Sequence, residues 1–212
     1  PKETNDKTFC FWAHPGDRIF SDLGHLISKS WNSLDTNVGA ANIRDFSYCM
    51  VESQSLYEEA KQIVEGSEFV TWIREGVTQV QSRGDGWRIL AHDSWYEADF
   101  IADSRPLQFR DSQLLKQSFV GWKVRTERPL FKPERATLMD FEVPQDGSTQ
   151  FMYVLPTSSR EALVEFTRFG TDVIPRDLAE THLEAYLSEG GSFEVSQEES
   201  GVIPMSTEIV AP

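Results

Sequence analysis

The sequence predicts an α+β fold in which strands outnumber helices and pair mainly through antiparallel turns. Many short segments alternate apolar and polar residues and are rich in aromatic and β-branched side chains, a pattern typical of half-buried strands. Polar or glycine-containing turns separate these segments. Amphipathic helical spacing is found in two segments, so helices are expected to be few.

The first half of the chain is predicted to contain several strands and one helix. Ser53 is expected to cap a helix of about 12 residues, in which Tyr57, Ala60 and Val64 share one face. Gly39–Asn42 is predicted to be a turn. The two glycines within Arg83–Gly86 permit positive φ and predict a hairpin. The predicted strands are Thr8–Trp12, Trp31–Val38, Phe46–Val51, Val77–Gln81, Trp87–His92 and Tyr96–Ala102.

The second half is predicted to be strand-rich, with one helix from Pro175 to about Ser188 that Gly190 and Gly191 terminate. The residues expected on the buried face of this helix are Leu178, Ala179, His182, Leu183, Tyr186 and Leu187. The predicted strands are Phe119–Thr126, Ala136–Val143, Gln150–Leu155, Leu163–Phe169, Phe193–Gln197 and Gly201–Met205.

Composition and charge exclude several classes of function. The 212 residues carry a formal net charge of −14, so neither nucleic acid nor anionic lipid is expected to bind by electrostatic attraction. No apolar run approaches the roughly 18 residues of a membrane-spanning helix, and no signal peptide is recognisable, so a cytoplasmic location is expected. Cys10 and Cys49 are expected to be buried, reduced residues. The four histidines are scattered, so no metal site is expected.

One carboxylate lies in an otherwise apolar strand pattern. Glu165 stands between Val164 and Phe166, where loss of hydration would favour its acid form and raise its pKa. A carboxylic acid with a raised pKa can donate a proton to a weakly basic substrate near neutral pH. The alternative is a glutamate that faces water from the edge of a sheet.

Several stretches, in order along the chain, resemble the flavin-dependent lycopene cyclase family of carotenoid biosynthesis. Three of them are ATLMDFEVPQ at Ala136–Gln145, FMYVLP at Phe151–Pro156 and LVEFT at Leu163–Thr167. The specific part of the resemblance is MDFEVPQ followed by YVLP and LVEFT at this spacing. The remaining stretches are TFCFW at Thr8–Trp12, DFSYCMVES at Asp45–Ser53, DFIADSRP at Asp99–Pro106, QSFVGWKVRTERPLF at Gln117–Phe131 and GVIPM at Gly201–Met205.

The resemblance implies a flavoprotein fold of the FAD-linked hydroxylase and reductase type. Residues 1–110 are expected to be a partial FAD-binding, Rossmann-like portion with inserted strands, and residues 111–212 a sheet-rich substrate-binding portion. The resemblance also implies lycopene as the substrate, reduced FAD as the cofactor and NAD(P)H as its reductant. Peripheral association with a membrane is compatible with it.

The sequence departs from the family in its glycine pattern. Family members carry a glycine-rich loop that holds the FAD pyrophosphate at a helix N-terminus. This chain has no G-x-G-x-x-G segment, and its close pair Gly84 and Gly86 lies in the predicted hairpin. The chain therefore resembles the middle of a cyclase trimmed at both ends, and by itself it is expected to retain neither FAD nor activity.

The implied reaction is a redox-neutral cyclisation of the isomerase or intramolecular lyase class. It requires an acid, stabilisation of a carbocation and an apolar tunnel. The family motif that carries the acid is matched by Leu163–Thr167, so Glu165 is the expected catalytic acid, with Asp140 as a second catalytic candidate. Aromatic faces could stabilise the cation. The candidates for this role are Trp122, Phe141, Tyr153 and Phe166, each of which could instead be a core residue.

Three residues are candidates for contact with the flavin. Gln145 lies in the MDFEVPQ stretch, and Asp103 and Arg105 lie at a strand end where family members approach the dinucleotide. The alternative for Asp103 and Arg105 is a local ion pair within a turn. Asp140 could orient Glu165 or simply face solvent.

Two other functions remain open at this stage. One is a flavin-dependent monooxygenase or prenyl-chain reductase of the same fold class, which would consume a nicotinamide cofactor. The other is an isoprenoid-binding domain without catalysis.

Overall fold

The computed structural model describes residues 7–37, 39–105 and 114–206. Within them the chain forms two compact units, residues 7–59 with 114–206, and residues 60–105. The predicted α+β class is confirmed. The helices are α1 (Arg18–Leu23), α2 (Ser53–Glu65) and α3 (Arg176–Leu187). The strands are β1 (Thr8–Ala13), β2 (Lys29–Trp31), β3 (Ser33–Thr36), β4 (Gly39–Asn42), β5 (Ser47–Glu52), β6 (Val77–Arg83), β7 (Gly86–Ala91), β8 (Ser94–Ala98), β9 (Leu115–Thr126), β10 (Arg135–Asp140), β11 (Thr149–Pro156), β12 (Glu161–Gly170) and β13 (Phe193–Met205).

A seven-stranded sheet dominates the first unit, with the strand order β13-β9-β12-β11-β10-β3-β4. All neighbouring pairs are antiparallel except β10 with β3, which run parallel. A smaller sheet with the order β1-β5-β2 belongs to the same unit. Because β9, β12 and β11 are inner strands, both of their faces are available for burial.

One face of the large sheet packs against α3. Side chains alternate across a strand, so Val164 and Phe166 of β12 point to the same face as Val120 and Trp122 of β9. These residues form one core cluster with Leu183 of the helix. Phe166 is completely buried and stacks on His182, with ring centroids 4.3 Å apart.

The opposite face of the sheet contributes to a second core. Leu155 of β11 and Leu163 of β12 are buried there together with Trp31 and Met50. The indole nitrogen of Trp31 donates a hydrogen bond to the carbonyl oxygen of Pro156 at 3.1 Å. This bond ties the strand β2 to the end of β11.

Helix α3 follows the prediction closely. Pro175 is its N-cap, in an extended conformation, and the helix ends at Leu187. Ala179, Leu183 and Leu187, spaced four residues apart, are completely buried. The spacing gives the helix a single apolar stripe, which is what holds it on the sheet.

The predicted turn at Gly39–Asn42 is wrong, because this segment is the strand β4. It pairs with β3 in the register Ser33↔Asn42 to Thr36↔Gly39. The predicted strand Trp31–Val38, whose last residue lies outside the described residues, is interrupted at Asn32. The Asn32 side chain donates hydrogen bonds to the Phe46 carbonyl and the Ser47 hydroxyl. Tertiary pairing thus overrode the turn propensity of this glycine- and asparagine-containing segment.

Other boundaries differ by a few residues. The strand predicted at Tyr96–Ala102 ends at Ala98. The two predicted terminal strands form one continuous strand, β13, with an irregularity between Val195 and Gln197. In α2, Tyr57 and Val64 are half-buried as expected, but Ala60 is exposed.

The second unit contains the three-stranded sheet β6-β7-β8. The predicted hairpin is confirmed, with Arg83 paired to Gly86 and Gly84 at a φ of 60°. The Arg88 guanidinium lies over the Trp95 ring, 4.6 Å from its centroid.

The functional division at residue 110 stays a prediction. Residues 33–35 on one side of it pair with β10 on the other side. In the part of the chain that the structure describes, no helix has the length and apolarity required to cross a membrane. The described residues also contain no cluster of three or more His, Cys, Asp or Glu side chains arranged to hold a metal ion.

Truncating the core residue of α3 should destabilise the protein. Leu183 is completely buried between α3 and the sheet. Leu183→Ala should lower the free energy of unfolding by about 2–5 kcal/mol, because it removes buried methyl groups and leaves a cavity. Urea denaturation measures this change.

Leu115→Ala is the matched control, because Leu115 is 44% exposed at the start of β9. Its effect should stay within about 0.5 kcal/mol. Equal losses of stability for the two variants would contradict the proposed packing of α3.

Candidate active site

Glu165 lies in the middle of β12, an inner strand of the large sheet. It is opposite Tyr153 of β11 on one side and Gly121 of β9 on the other. Gly121 is in turn opposite Glu199 of β13. Because directly opposite residues point to the same face of a sheet, Glu165 and Glu199 extend from one face on either side of Gly121.

Gly121 provides the space in which the two carboxyl groups meet. A Cβ atom at this position would lie 2.7 Å from Cγ of Glu165 and 3.2 Å from Cγ of Glu199. The φ angle of Gly121 lies outside the left-handed region, so any residue could adopt its backbone conformation. The glycine is therefore required for space and not for conformation.

The pKa of Glu165 is raised well above its ordinary value of 4.5. Burial is the largest cause, and the hydrogen bond and negative charge of Glu199 raise it further. Glu199 is only 8% exposed, and its Oε2 accepts a hydrogen bond from the Thr8 hydroxyl at 3.4 Å. These contacts favour the acid form of Glu165 at a pH where an ordinary glutamate is ionised.

Three neutral polar groups lie beside this pair. The hydroxyl groups of Tyr48 and Tyr153 are hydrogen-bonded to each other, and the Cys10 thiol lies in the same cavity wall. Burial raises the pKa of Cys10 to about 12 and also raises the pKa of each tyrosine. The group is therefore uncharged near neutral pH. Cys10 and Cys49 are both free thiols, as predicted.

A cavity of about 390 Å³ opens beside Glu165. This volume falls within the range typical of sites for small organic molecules. Glu165, Cys10, Tyr48 and Tyr153 are part of its wall. The apolar part of the wall comes from Trp12, Phe119, Leu138, Met139, Phe151, Leu155, Leu163 and Ile203.

A second cavity of about 380 Å³ shares the side chains of Leu155 and Leu163 with the first. Its wall also contains Glu52 and Lys123, whose side chains form an ion pair. The two cavities lie next to each other along the same face of the sheet.

The structure brings Tyr153 to Glu165 but not the other predicted aromatic contacts. Trp122 and Phe166 have the opposite parity in their strands, so they point into the core under α3. Phe141 lies beyond the end of β10 and is 42% exposed. Its ring centroid is 5.6 Å from the ring centroid of Phe151. Phe151 itself lines the cavity.

Asp140 lies on the helix side of the sheet. Burial is the main reason that the pKa of Tyr186 in α3 rises to about 12, and the charge of Asp140 adds to this effect. Asp140 accepts a hydrogen bond from the Asn37 side chain at 3.1 Å and another from the backbone of Glu142 at 3.0 Å. The geometry does not place its carboxylate beside Glu165.

Gln145 organises its own loop. Its amide nitrogen donates to the carbonyl oxygens of Phe141, Val143 and Gln150, and its side-chain oxygen accepts from the Gln150 backbone N–H at 3.0 Å. The side chain thus links the chain between β10 and β11 to the beginning of β11.

Asp103 and Arg105 form the local pair that was the alternative to a flavin contact. The guanidinium donates to both carboxylate oxygens, at distances between 2.6 and 3.0 Å. These hydrogen bonds are the main reason that the pKa of Asp103 falls to about 2. Both side chains are substantially exposed.

The sequence analysis missed Glu199, Gly121 and the hydroxyl of Tyr48 as parts of the site. Gly121 carried a usable signal, because a glycine in the interior of a strand often marks a close approach by other groups. Glu199 carried none, since it lies in a polar stretch that resembles a solvated strand.

The comparisons with known proteins agree with this architecture. A family model described as lycopene cyclase protein matches residues 1–211. A lycopene beta-cyclase from Paracoccus sp. (strain N81106 / MBIC 01143) is 32% identical over 113 residues, which is 52% of this chain and 29% of that protein.

Solved structures with a similar fold are flavoproteins and related enzymes. A geranylgeranyl bacteriochlorophyll reductase-like protein from Thermoplasma acidophilum matches with a TM-score of 0.61 at 9% identity, over 92% of this chain and 56% of that one. The halogenase PltM, which has also been solved with FAD, matches with a TM-score of 0.56 at 12% identity, over 93% and 48%. This chain therefore spans about half the length of the solved structures that it resembles.

The residues in the described part of the chain do not fit the pyrophosphate of FAD. None of its three helices begins after a glycine-rich loop. Gln145 is used by its own loop, and Asp103 and Arg105 are bound to each other. A phosphate site requires free backbone or cationic donors, which these three residues do not offer.

This 212-residue chain should therefore bind FAD weakly or not at all. Titration of FAD with the purified protein should show no saturable quenching of flavin fluorescence. Riboflavin is the control, because it lacks the pyrophosphate and adenosine and should behave the same way. A yellow protein with stoichiometric flavin would contradict this expectation.

Replacing Glu165 with glutamine should reduce the dependence of stability on pH. A carboxyl group with a raised pKa binds more protons in the folded state than in the unfolded state. The free energy of unfolding therefore falls as the pH rises from the ordinary glutamate range through the raised pKa. Glutamine does not titrate, so this fall should be smaller in Glu165→Gln.

Denaturation at several values between about pH 5 and pH 9 tests the sign. Glu161→Gln is the matched control in the same strand, since Glu161 is ion-paired with Arg125 and lies away from Glu199. Parallel stability curves for wild type and Glu165→Gln would show that burial does not hold the Glu165 carboxyl in its acid form.

Proposed function

The chain belongs to the lycopene cyclase family, and from this premise we propose that it cyclises the acyclic ends of lycopene to ionone-type rings, with Glu165 as the acid. The observation that carries the proposal is the carboxyl group of Glu165, with its raised pKa, in the wall of a cavity that is more apolar than polar. Lycopene is a hydrocarbon, so its recognition depends on apolar contact and shape.

The proposed reaction begins with transfer of the Glu165 proton to the terminal carbon–carbon double bond. The resulting tertiary cation is attacked by a neighbouring double bond, which forms the ring bond. Loss of a ring proton to the Glu165 carboxylate, which the first step left deprotonated, then gives a neutral product and restores the acid. One proton is gained and one is lost, so the reaction is redox-neutral and needs no net electron donor.

Aromatic faces in the cavity wall would stabilise the cation. Tyr48, Tyr153, Phe119 and Phe151 all line this cavity. Each well-placed ring can contribute about 0.5–2 kcal/mol to the stability of a cation in a desolvated site. Tyr153 retains the role expected from the sequence, whereas Trp122 and Phe166 face the core under α3.

The neutral state of the polar wall supports the same chemistry. A deprotonated Cys10 or tyrosine could trap a carbocation, but burial raises the pKa of all three groups. Exclusion of water also matters, because water would quench the cation to an alcohol. The apolar side chains of the cavity wall serve this purpose.

Reduced FAD belongs to the proposal as the cofactor of the family, with NAD(P)H as its reductant. No step above passes through the flavin. The residues of this chain that were expected to contact it are engaged with one another or with their own loop.

Glu165→Gln should abolish cyclisation, because glutamine keeps the shape but cannot donate the proton. Positioned acids contribute about 10²–10⁴-fold in rate, and an alkene is a poor base, so the loss should reach the upper part of that range or exceed it. The measurement is carotenoid analysis of cells that accumulate lycopene and express the complete reading frame containing this chain, at equal protein levels.

Two controls accompany this assay. Glu161→Gln should retain cyclic product, since its carboxylate pairs with Arg125. Asp140→Asn should also retain product, because Asp140 lies on the helix side of the sheet. Cyclic product at near wild-type yield from Glu165→Gln, together with its loss in Asp140→Asn, would transfer the acid role to Asp140.

Measurement of nicotinamide consumption alongside the carotenoid product separates the other two functions. A monooxygenase or prenyl-chain reductase would consume reduced nicotinamide in proportion to product. A non-catalytic isoprenoid-binding domain would bind lycopene without converting it. Cyclic product without net nicotinamide consumption is expected for the proposed activity.

A further inference from the structure

We propose that Glu199 is a positioning residue that shares a single proton with Glu165 and thereby keeps Glu165 protonated at neutral pH. The pairing follows from the register of three strands, β12, β9 and β13, around Gly121. Its role in catalysis rests on the proposed function, whereas the existence of the shared proton does not.

The geometry requires the two carboxyl groups to be close. Glu165 and Glu199 are both directly opposite Gly121, and a Cβ atom on that residue would contact Cγ of each. The neighbouring glutamate in β13, Glu198, has the opposite parity and bonds to Arg176 near the start of α3. Of these two adjacent glutamates, Glu199 is the one that meets Glu165.

Apart from a shared proton, the neighbouring side chains offer little to compensate the negative charge of this pair. Cys10 of β1, Tyr48 of β5 and Tyr153 of β11 face Glu165 as neutral groups. Lys123, two residues from Gly121 on the same face of β9, is bonded to Glu52. Two adjacent carboxylates that are both ionised repel each other strongly in a site of low polarity, so one of them retains a proton.

The two members of the pair have different environments. Glu199 already acts as a hydrogen-bond acceptor, since its Oε2 accepts from the Thr8 hydroxyl. Glu165 borders the cavity, where the apolar wall favours its acid form. The proton therefore resides on Glu165, with Glu199 as its hydrogen-bond acceptor.

The pair helps Glu165 to keep the proton that it must donate to an alkene. Ionised Glu199 discourages loss of the Glu165 proton to water, so the acid form persists as the pH rises. Glu199 is not one of the described residues that line the cavity. It therefore acts through Glu165 and not on the substrate.

Carboxyl titration of the 212-residue chain tests the pair without substrate. The protein is labelled with ¹³C at the glutamate side-chain carboxyl carbon, and the Glu165 signal is assigned by its loss in Glu165→Gln. In Glu199→Gln, the midpoint of the Glu165 titration should move to lower pH, because the neighbouring negative charge is removed. A purely structural Glu199 would leave the midpoint unchanged.

Glu198→Gln is the matched control, with the same substitution in the same strand on the opposite face. It should leave the Glu165 midpoint in place. Equal midpoints in Glu199→Gln and Glu198→Gln would overturn the proposal. If Glu199→Gln fails to fold, Gly121→Ala provides the same readout. Its added methyl group separates the carboxyl groups, and an unchanged midpoint there would also overturn the pair.

The pH dependence of cyclisation tests the catalytic role. At a pH above both midpoints, Glu199→Gln should be less active than wild type by about tenfold for each pH unit that the Glu165 midpoint falls, whereas at a pH below both midpoints the two should have similar activity. Loss of activity in Glu165→Gln with an unchanged pH profile in Glu199→Gln would refute this role for Glu199 and leave the proposed function intact. A shifted midpoint with full cyclisation in Glu165→Gln would instead refute Glu165 as the acid, and with it the role of Glu199.

Discussion

The antiparallel register of β9, β12 and β13 is the constraint on which the candidate site depends. It places Glu165, Gly121 and Glu199 in one row across the sheet. A slip of one residue in β12 would turn Glu165 toward α3 and turn Phe166 toward the cavity. The apolar residues on the helix side prevent that slip, because Val164 and Phe166 would lose a fully buried environment. The packing of α3 therefore fixes the chemistry of the opposite face.

The two faces of the inner strands perform different tasks. The helix face has an apolar centre, and the burial of this centre supplies the main driving force for folding of this unit. The opposite face carries several polar groups, whose burial is tolerated because they are hydrogen-bonded to one another or protonated. The apolar face of each inner strand offsets the free-energy cost of burying polar groups on its other face. The sheet thereby combines stability with a site that favours an uncharged acid.

The sequence alone determined the α+β class, most strands, helix α3 and the family. Each of these features is recognised from residues that are close together in the sequence. The strands show alternation of apolar and polar residues, α3 shows the four-residue spacing of Ala179, Leu183 and Leu187, and the family is recognised from short motifs. Glu165 was also identified from the sequence, because the apolar residues Val164 and Phe166 on either side of it predict a buried strand. Gly39–Asn42 was mistaken for a turn, since only pairing with β3 makes this segment a strand.

The tertiary structure alone decided which groups meet Glu165. Strand parity places Trp122 and Phe166 in the core, and a register irregularity between β10 and β11 places Asp140 opposite Met152, on the helix side of the sheet. Glu199, 34 residues further along the chain by numbering, reaches Glu165 because both strands pair with β9 at Gly121. A sequence records the parity of residues within each strand, but the relative register of different strands is set by hydrogen bonding and packing between segments that are distant in the chain.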